Sequence, residues 1–241
     1  MRESSLSTWK WVLAETGIVV AGILIAFSLN SWWADRSAAV QEQAHLLALH
    51  SDFKQNVERL NGLAKQQDRV AGASRDLLLI ARDVKSASVG SVDQLIGEVF
   101  SSDQFDPVMG AYENLVNSGG LSQIKDEDLR RMLATFSAMV ESRYAEEFSL
   151  TFYLEFNRAF MGQIGWADAV LKRELIENDG GMELPETDWN HELLADPAFQ
   201  DHLALRYLTQ AQVAQMYREL GRQAEQVLER TAALTRQDTT P

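Results

Sequence analysis

Residues 12–31 (VLAETGIVVAGILIAFSLNS) form the longest apolar stretch of this chain, and Glu15 is its only ionisable side chain. A helix needs about 20 mostly apolar residues to cross a hydrocarbon core of roughly 30 Å. A cleaved signal peptide is the alternative, but its apolar core is only about 7–15 residues long and ends at an Ala-x-Ala-like site. This stretch is longer and runs into Trp32. The sequence therefore predicts a transmembrane helix over residues 12–33.

Two pairs of tryptophan flank the apolar stretch, where a membrane helix would meet its two interfaces. The pairs are Trp9 with Trp11 and Trp32 with Trp33. The distance from Trp11 to Trp32 is about 32 Å of helix at roughly 1.5 Å per residue. We therefore expect an interfacial belt at each end of a single-pass signal anchor, with the lipid bilayer as its partner.

The basic residues near the anchor indicate its orientation. Arg2, Lys10 and the terminal amine precede the helix. Only Arg36 follows it within the range of about 15–20 residues that influences topology. Because the more basic flank stays in the cytoplasm, the pattern places the bulk of the chain outside. In a bacterium this is the periplasmic side of the inner membrane.

The net charge of −13 belongs entirely to the part of the chain after the anchor. Residues 1–33 are neutral overall, which leaves 20 of the 22 basic and 33 of the 35 acidic residues in the remainder. Nucleic-acid binding rests on basic side chains that neutralise phosphates. The charge therefore argues against a nucleic acid as a partner.

Residues that carry catalysis or bind metals are scarce in this sequence. There is no cysteine, and the spacing of the four histidines matches no metal-binding motif. Phosphate-binding and nucleophile-elbow motifs are missing as well. We therefore expect a protein without a metal, a cofactor or an enzymatic activity. The histidines are His45, His50, His191 and His202.

Small residues recur along the predicted membrane helix, and they allow two helices to approach closely. The hypothesis is that this helix self-associates through the small residues, helped by two polar side chains in the same interface. The alternative is the ordinary Gly and Ala content of a membrane helix, with Glu15 reaching the interface. The residues in question are Ala14, Glu15, Gly17, Ala21, Ser28 and Asn30.

The rest of the chain has a helical pattern, and no strand pattern is evident. No proline occurs before Pro107, and apolar residues recur at steps of three, four and seven from Leu46 to Val84. This predicts one long helix from the membrane to about Lys85, with a linker over residues 86–90. The apolar face after residue 40 either continues the contact with a second copy or is covered by the chain's own later helices.

Polar caps predict where the later helices begin. They are Ser91 with Gln94, Asp106-Pro107, Asp126 and Asp196-Pro197. The predicted ends are near Phe100, at Gly119-Gly120, beyond Phe160 for one long helix, and near Arg236. Residues 178–189 read as a loop. The prediction is an all-α fold, in which the membrane helix continues into a long helix followed by an antiparallel bundle. Its parts are a tail (1–11), the transmembrane helix (12–33), the bundle (34–236) and a disordered tail (237–241).

Five aromatic residues follow one another at intervals of four and form an oblique ridge on one helix. Packing in the bundle core is one interpretation, and an apolar ligand pocket lined by aromatics is the other. A second transmembrane span in this region is rejected because Glu155, Arg158 and Asp168 interrupt it. The ridge consists of Tyr144, Phe148, Phe152, Phe156 and Phe160.

Two segments, residues 15–32 and 105–130, are similar to a family of bacterial single-pass membrane proteins known only as a domain of unknown function. The first segment matches at Glu15, Gly22, Ile23, Leu24, Ile25, Ala26, Asn30 and Trp32. The second matches at Tyr112, Glu113, Leu115, Ser118, Gly119, Ile124 and Leu129. The run after the membrane helix departs from the more basic pattern of the family. The resemblance implies no activity, but it implies that Glu15 and Asn30 belong to the family pattern.

The second segment also predicts a structural corner formed by Tyr112, Leu115, Gly119 and Gly120. One of its two glycines should adopt a left-handed conformation that ends a helix. For the chain as a whole, we expect a membrane-anchored interaction or scaffold protein whose partner is another copy or another envelope protein. The alternative is an extracytoplasmic sensor or ligand-binding module that uses the aromatic ridge.

Overall fold

A computed structural model describes residues 4–83, 85–160 and 190–237. All regular secondary structure within these residues is helical. The all-α prediction is therefore confirmed for this part of the chain. The helices are α1 (Ser4–Ala81), α2 (Val89–Val99), α3 (Gly110–Asn117), α4 (Glu127–Glu141), α5 (Tyr144–Phe160), α6 (Asn190–Ala195) and α7 (Pro197–Gln237). A short 3₁₀ turn, Gly120–Gln123, lies between α3 and α4.

Helix α1 is a single unbroken helix of 78 residues, or about 117 Å at 1.5 Å per residue. It begins at Ser4, so the predicted N-terminal tail is helical from that residue onward. Helix α7 runs antiparallel to α1, because His50 pairs with Thr231 while Asp68, further along α1, pairs with Arg218. The predicted long first helix, to about Lys85, and the predicted last helix, from Asp196-Pro197 to near Arg236, match α1 and α7.

The apolar face of α1 after residue 40 is covered by the chain's own helices. Leu49 and Leu60 are fully buried there. Their cluster includes residues of α4 and α7, among them Phe136 and Tyr217. The prediction that this face continues a contact with a second copy is wrong, because α7 and α4 occupy it. A second cluster fills the end of the bundle away from the apolar stretch, around Leu77, Ile96, Phe156 and Phe199.

The start of α2 differs from its predicted cap. Ser88 caps the helix, and its side chain accepts the N–H of Ser91. Ser91 therefore lies inside the first turn, so the predicted capping box at Ser91 and Gln94 is wrong. The serine three residues upstream already satisfies the N–H that the box was expected to bind.

Asp106-Pro107 does not open a helix, and this prediction is also wrong. Helix α3 begins only at Gly110. The preceding segment is held in a non-helical path by α1, where the Asn56 side chain makes hydrogen bonds of 2.9 and 2.8 Å with the carbonyl and N–H of Val108. Backbone groups that already have distant partners gain little from forming a helical turn.

The long helix predicted after Asp126 is divided in two. Asp126 caps α4 as expected, accepting the N–H of Leu129 at 2.7 Å. The helix then ends at Glu141, and α5 begins at Tyr144. The break at Ser142 turns α5 so that the Glu146 side chain enters the core, where it is only 6% exposed.

The corner and the last helix agree with the sequence predictions. Gly119 has φ +70° and is the left-handed residue that follows α3. Leu115 and Gly120 are buried beside it, and Tyr112 packs partly buried against the first cluster. Asp196 accepts the N–H of Ala198 at the start of α7, which ends at Gln237. The predicted loop over residues 178–189 and the tail beyond Gln237 lie outside the described residues.

Candidate functional site

The first half of α1 carries the features expected of a membrane anchor. Every side chain from Glu15 to Ala38 is exposed, including Ile18 and Phe27 at 73% each. Within the described part of the chain, α1 is the one helix that is long and apolar enough to cross a membrane, by length and composition. A soluble bundle does not normally expose so large an apolar surface.

The predicted belts and small residues lie along this exposed segment. Trp32 and Trp33 are 61% and 66% exposed, and their rings contact edge to face at 6.0 Å. Gly17, Ala21 and Ser28 are also exposed and fall within about 40° of one another around a helix with 100° per residue. The side chains of Trp9, Trp11 and Ala14 lie outside the described residues, although their backbone belongs to α1.

The two polar residues of this segment do not share the face of the small residues. At 100° per residue, Glu15 and Asn30 lie more than about 100° away from the direction of Gly17, Ala21 and Ser28. Both are exposed. The continuous helix therefore contradicts the expectation of one shared interface, and the hypothesis of self-association then rests on the small residues alone.

The aromatic ridge is divided between the core and the surface. Phe152, Phe156 and Phe160 are buried in the second cluster, where Phe156 stacks on Phe100 at 4.6 Å. Tyr144 and Phe148 are 76% and 56% exposed. The buried part of the ridge is filled by packed side chains, which favours the core interpretation for these three residues.

A buried polar cluster centred on Glu146 joins α5, α7 and the segment before α3. Glu146 Oε1 accepts the backbone N–H of Phe105 at 2.8 Å and the Tyr217 hydroxyl at 2.9 Å. Glu146 Oε2 accepts from Arg143 Nη1 at 3.0 Å, and Arg143 also donates to the Phe105 carbonyl. Burial, and then the nearby Glu146 carboxylate, raise the pKa of Tyr217, so its hydroxyl remains a donor at neutral pH.

This cluster forms one wall of a surface groove of about 800 Å³, here called the Glu146 groove. Its floor contains Phe105 and Leu150, and three carboxylates lie along it. Arg143 is already engaged by Glu146. The three carboxylates, which have no ion-pair partner among the described residues, are Asp106, Glu141 and Glu147.

A second buried charge, Arg206, lies where α5 and α7 meet the end of α2. It is fully buried, donates to the carbonyls of Val99 and Ser101 at 3.2 and 2.6 Å, and lies over the Tyr153 ring at 4.8 Å. Desolvation lowers the pKa of Arg206 to about 10, so it stays protonated at neutral pH. It joins α7 to the end of α2 through these carbonyls and to α5 through the Tyr153 ring.

The described residues contain no group of three or more His, Asp or Glu that could hold a metal ion. His202 stacks on Phe152 and Phe156, and His50 pairs with Thr231, so both are engaged in packing. The exposed α1 segment and the Glu146 groove are two surfaces of the described residues that no other described helix covers.

Sequence reasoning missed Glu146 and Arg206. A signal for Glu146 was present, since it precedes Ser149, Phe152, Phe156 and Phe160 at steps of three and four and so shares their buried face. No local pattern distinguishes Arg206 from an exposed arginine, because its carbonyl partners lie more than 100 residues away in the sequence.

Residues 15–150, more than half of the chain, match a family of unknown function, DUF6090. The chain belongs to this family. The match includes the exposed segment of α1 from Glu15 onward, the corner at Gly119 and the first part of α5. No curated protein and no solved structure matches the chain. The DUF6090 family brings no assigned activity to the chain.

Proposed function

We propose that this DUF6090 protein is a single-pass protein of the bacterial inner membrane, whose helical bundle lies in the periplasm and acts by binding other proteins. In this proposal residues 12–33 are the anchor and residues 34–236 are the interaction domain. Its partner is another copy of the chain or another envelope protein. The protein works without a cofactor and without catalysis.

The observation that carries this proposal is the change of environment along one unbroken helix. Side chains are exposed on all sides of α1 from Glu15 to Ala38, whereas from Leu46 onward one face is buried. An apolar helix that is exposed all round suits lipid as its surroundings. Because α1 has no break, the bundle is joined to the anchor as a stiff extension.

Charge supports a role in binding at the bundle. The part after the anchor holds 33 acidic and 20 basic residues. This excess keeps the bundle away from anionic lipid headgroups. The bundle thus projects from the membrane, where other envelope proteins or further copies can reach it.

Membrane fractionation and a fusion assay test the proposal together. The full-length protein should remain in the membrane after carbonate extraction, and alkaline phosphatase fused after Pro241 should be active, because it folds only outside the cytoplasm. A fluorescent cytoplasmic reporter at the same position is the matched control and should be dark. A bright reporter with an inactive phosphatase would show the opposite orientation. Release of the protein by carbonate would show that residues 12–33 do not anchor it in the membrane.

A further inference from the structure

An exposed apolar stripe runs along α1 from the end of the proposed span into the part outside the membrane. Trp33, Val40 and Leu47 lie on it and are 66%, 56% and 55% exposed. Ser37 and Ala44 are exposed between them. The five residues follow one another at alternating steps of four and three, which is the spacing of a coiled-coil seam. We call these five residues the outer stripe.

The outer stripe faces away from the bundle. At 100° per residue, its centre lies about 170° from the mean direction of the buried residues Leu46, Leu49 and Phe53. Helices α4 and α7 cover that opposite side of α1. A helix of another molecule can therefore lie against the outer stripe without displacing α4 or α7.

The outer stripe extends too far from the proposed span for lipid to cover all of it. Val40 and Leu47 are about 10 and 21 Å beyond Trp33 along the helix. The headgroup region on each side of a bilayer is only about 5–8 Å thick. In the proposed membrane position Ala44 and Leu47 are therefore in water, where covering an apolar surface is favourable.

A second copy of the chain is the occupant that fits this stripe. Copies that are anchored through the same span stand parallel and at the same height. Each residue of the stripe then faces the same residue of the other copy across a two-fold axis. The small side chains of Ser37 and Ala44 alternate with the larger ones of Trp33, Val40 and Leu47. This alternation lets two such seams interdigitate.

The charges along this part of α1 are compatible with a symmetric contact. Between Trp33 and Leu47, Arg36 is the one charged residue within about 60° of the centre of the stripe. It lies at the edge, and a two-fold axis places the two edge residues on opposite sides of the contact. Exposed Lys54 occupies a later seam position, where like charges would meet, so the contact ends before it.

We propose that two copies of this protein pair in parallel through the outer stripe, as a short two-stranded coil directly outside the membrane. This inference rests on the membrane anchoring proposed above. The contact spans about four helical turns and is smaller than the roughly 1,200–2,000 Å² of a stable soluble interface. Anchoring compensates for the small area, because two spans in one membrane hold the copies at a high local concentration.

This contact is separate from the small-residue face of the span. Gly17, Ala21 and Ser28 point more than about 100° away from the outer stripe. A pair that forms through the outer stripe therefore does not bury these residues at its seam. Substitutions at the two surfaces test different contacts.

Because the chain has no cysteine, a single cysteine on the stripe tests the contact in the full-length protein. In a parallel pair each seam residue meets itself, so Ala44→Cys should give a disulfide-linked dimer when membranes are mildly oxidised. Ala38→Cys is the matched control, since Ala38 is also exposed but lies about 120° from Ala44 around the helix. It should give several-fold less dimer. Equal yields from the two variants, or more dimer from Ala38→Cys, would overturn the proposal.

Introduced charges give a second readout in the Ala44→Cys protein. Leu47→Glu should lower the dimer yield about tenfold, because two carboxylates then meet in the seam. Ala38→Glu adds the same charge away from the stripe and should change the yield little. A melting temperature equal to that of the parent checks that the bundle stays folded. An undiminished yield with Leu47→Glu would exclude the outer stripe as the contact.

The opposite effect is expected from a charge at the edge of the stripe. In a parallel two-stranded coil, residue 41 comes next to the partner's Arg36, five positions earlier in the sequence. Gln41→Glu in the Ala44→Cys protein should therefore raise the dimer yield. A lower yield would contradict the parallel arrangement.

Membrane retention and dimer yield report on separate statements. Release of the protein by carbonate would contradict the proposed anchoring. Full retention in the membrane together with monomeric Ala44→Cys protein would contradict the pairing alone.

Discussion

The two parts of α1 have similar apolar residues but contrasting surroundings. Leu24, in the first part, is 60% exposed, and Leu60, in the second part, is fully buried. In the first part apolar side chains surround the helix. In the second they form one face, with charged residues such as Lys54 on the other side.

This difference shows that the number of apolar residues matters less than their arrangement around the helix. A one-sided pattern provides a face for α7 and α4 to cover. An all-round pattern would need partners on every side, and within the described residues the bundle offers none before Ala39. One unbroken helix therefore presents two different surfaces, exposed all round from Glu15 to Ala38 and buried on one face from Leu46 onward.

Truncation of a leucine to alanine should show the largest difference in stability effect between the two parts of α1. Leu60→Ala should reduce the free energy of unfolding by about 2–5 kcal/mol, since it leaves a cavity between α1 and α7. Leu24→Ala should leave the unfolding of the bundle unchanged. Denaturant titration of the full-length protein in detergent measures both. Leu47→Ala, at a position that is 55% exposed, is the control for substitution on α1 outside the membrane.

An added charge should affect the first part of α1 more than the second, because it acts on membrane insertion and not on packing of the bundle. Leu24→Arg should weaken membrane insertion by about 2.5–3.5 kcal/mol, because the charge lies near the middle of the proposed span. Leu47→Arg should leave insertion unchanged. The measure is the fraction of protein that resists carbonate extraction. Equal retention of both variants would show that the first part of α1 does not cross a bilayer.

Substitutions at the corner around Gly119 test whether the left-handed backbone conformation there contributes to the stability of the bundle. Gly119→Val should destabilise the fold by about 1–2 kcal/mol, since the residue has a left-handed conformation. Gly120→Val should also lower the melting temperature, because an added Cβ lies 3.2 Å from Leu115 Cδ2. Gly62→Val, in open space on α1, is the control and should not destabilise. Parent-like melting of both corner variants would refute the requirement.

The small-residue face tests association within the membrane part of α1. Gly17→Leu with Ala21→Leu should weaken self-association of residues 1–40 by about 1 kcal/mol in a membrane two-hybrid assay. Gly22→Leu with Ala26→Leu keeps the spacing but lies on another side of the helix, and it should have less effect. If the unmodified segment gives only the signal of a non-associating helix, this face does not pair.

The cap at Asp126 should produce the smallest effect, and one that depends on pH. The hydrogen bond from Arg230 is the main cause that lowers the pKa of Asp126 in the folded state. The resulting stabilisation is present above the unfolded pKa of about 3.9 and is lost as the pH falls through the lower folded value.

Asp126→Asn keeps a capping side chain but removes this charge. It should lower the melting temperature by about 1–3 °C at pH 7 and by less as the pH falls toward 2. A difference that stays the same at both pH values would mean that the charge contributes nothing.

Much of the helical layout follows from local pattern. The caps at Asp126 and Asp196, the left-handed Gly119 and the length of α1 all depend on residues close in the sequence. The candidate surfaces are less accessible to such reasoning. The Glu146 groove is recognisable only once α5 turns inward and residues 101–109 are held against α1.

The sequence by itself determined an all-α chain with one apolar segment long enough to span a membrane, because helical periodicity and hydropathy are local properties. The tertiary structure decided where helices stop. Asn56 binds Val108 from 52 residues away, and Glu146 binds Phe105 from 41 residues away. Such partners satisfy backbone groups that a helix would otherwise satisfy. For that reason Asp106-Pro107 opens no helix.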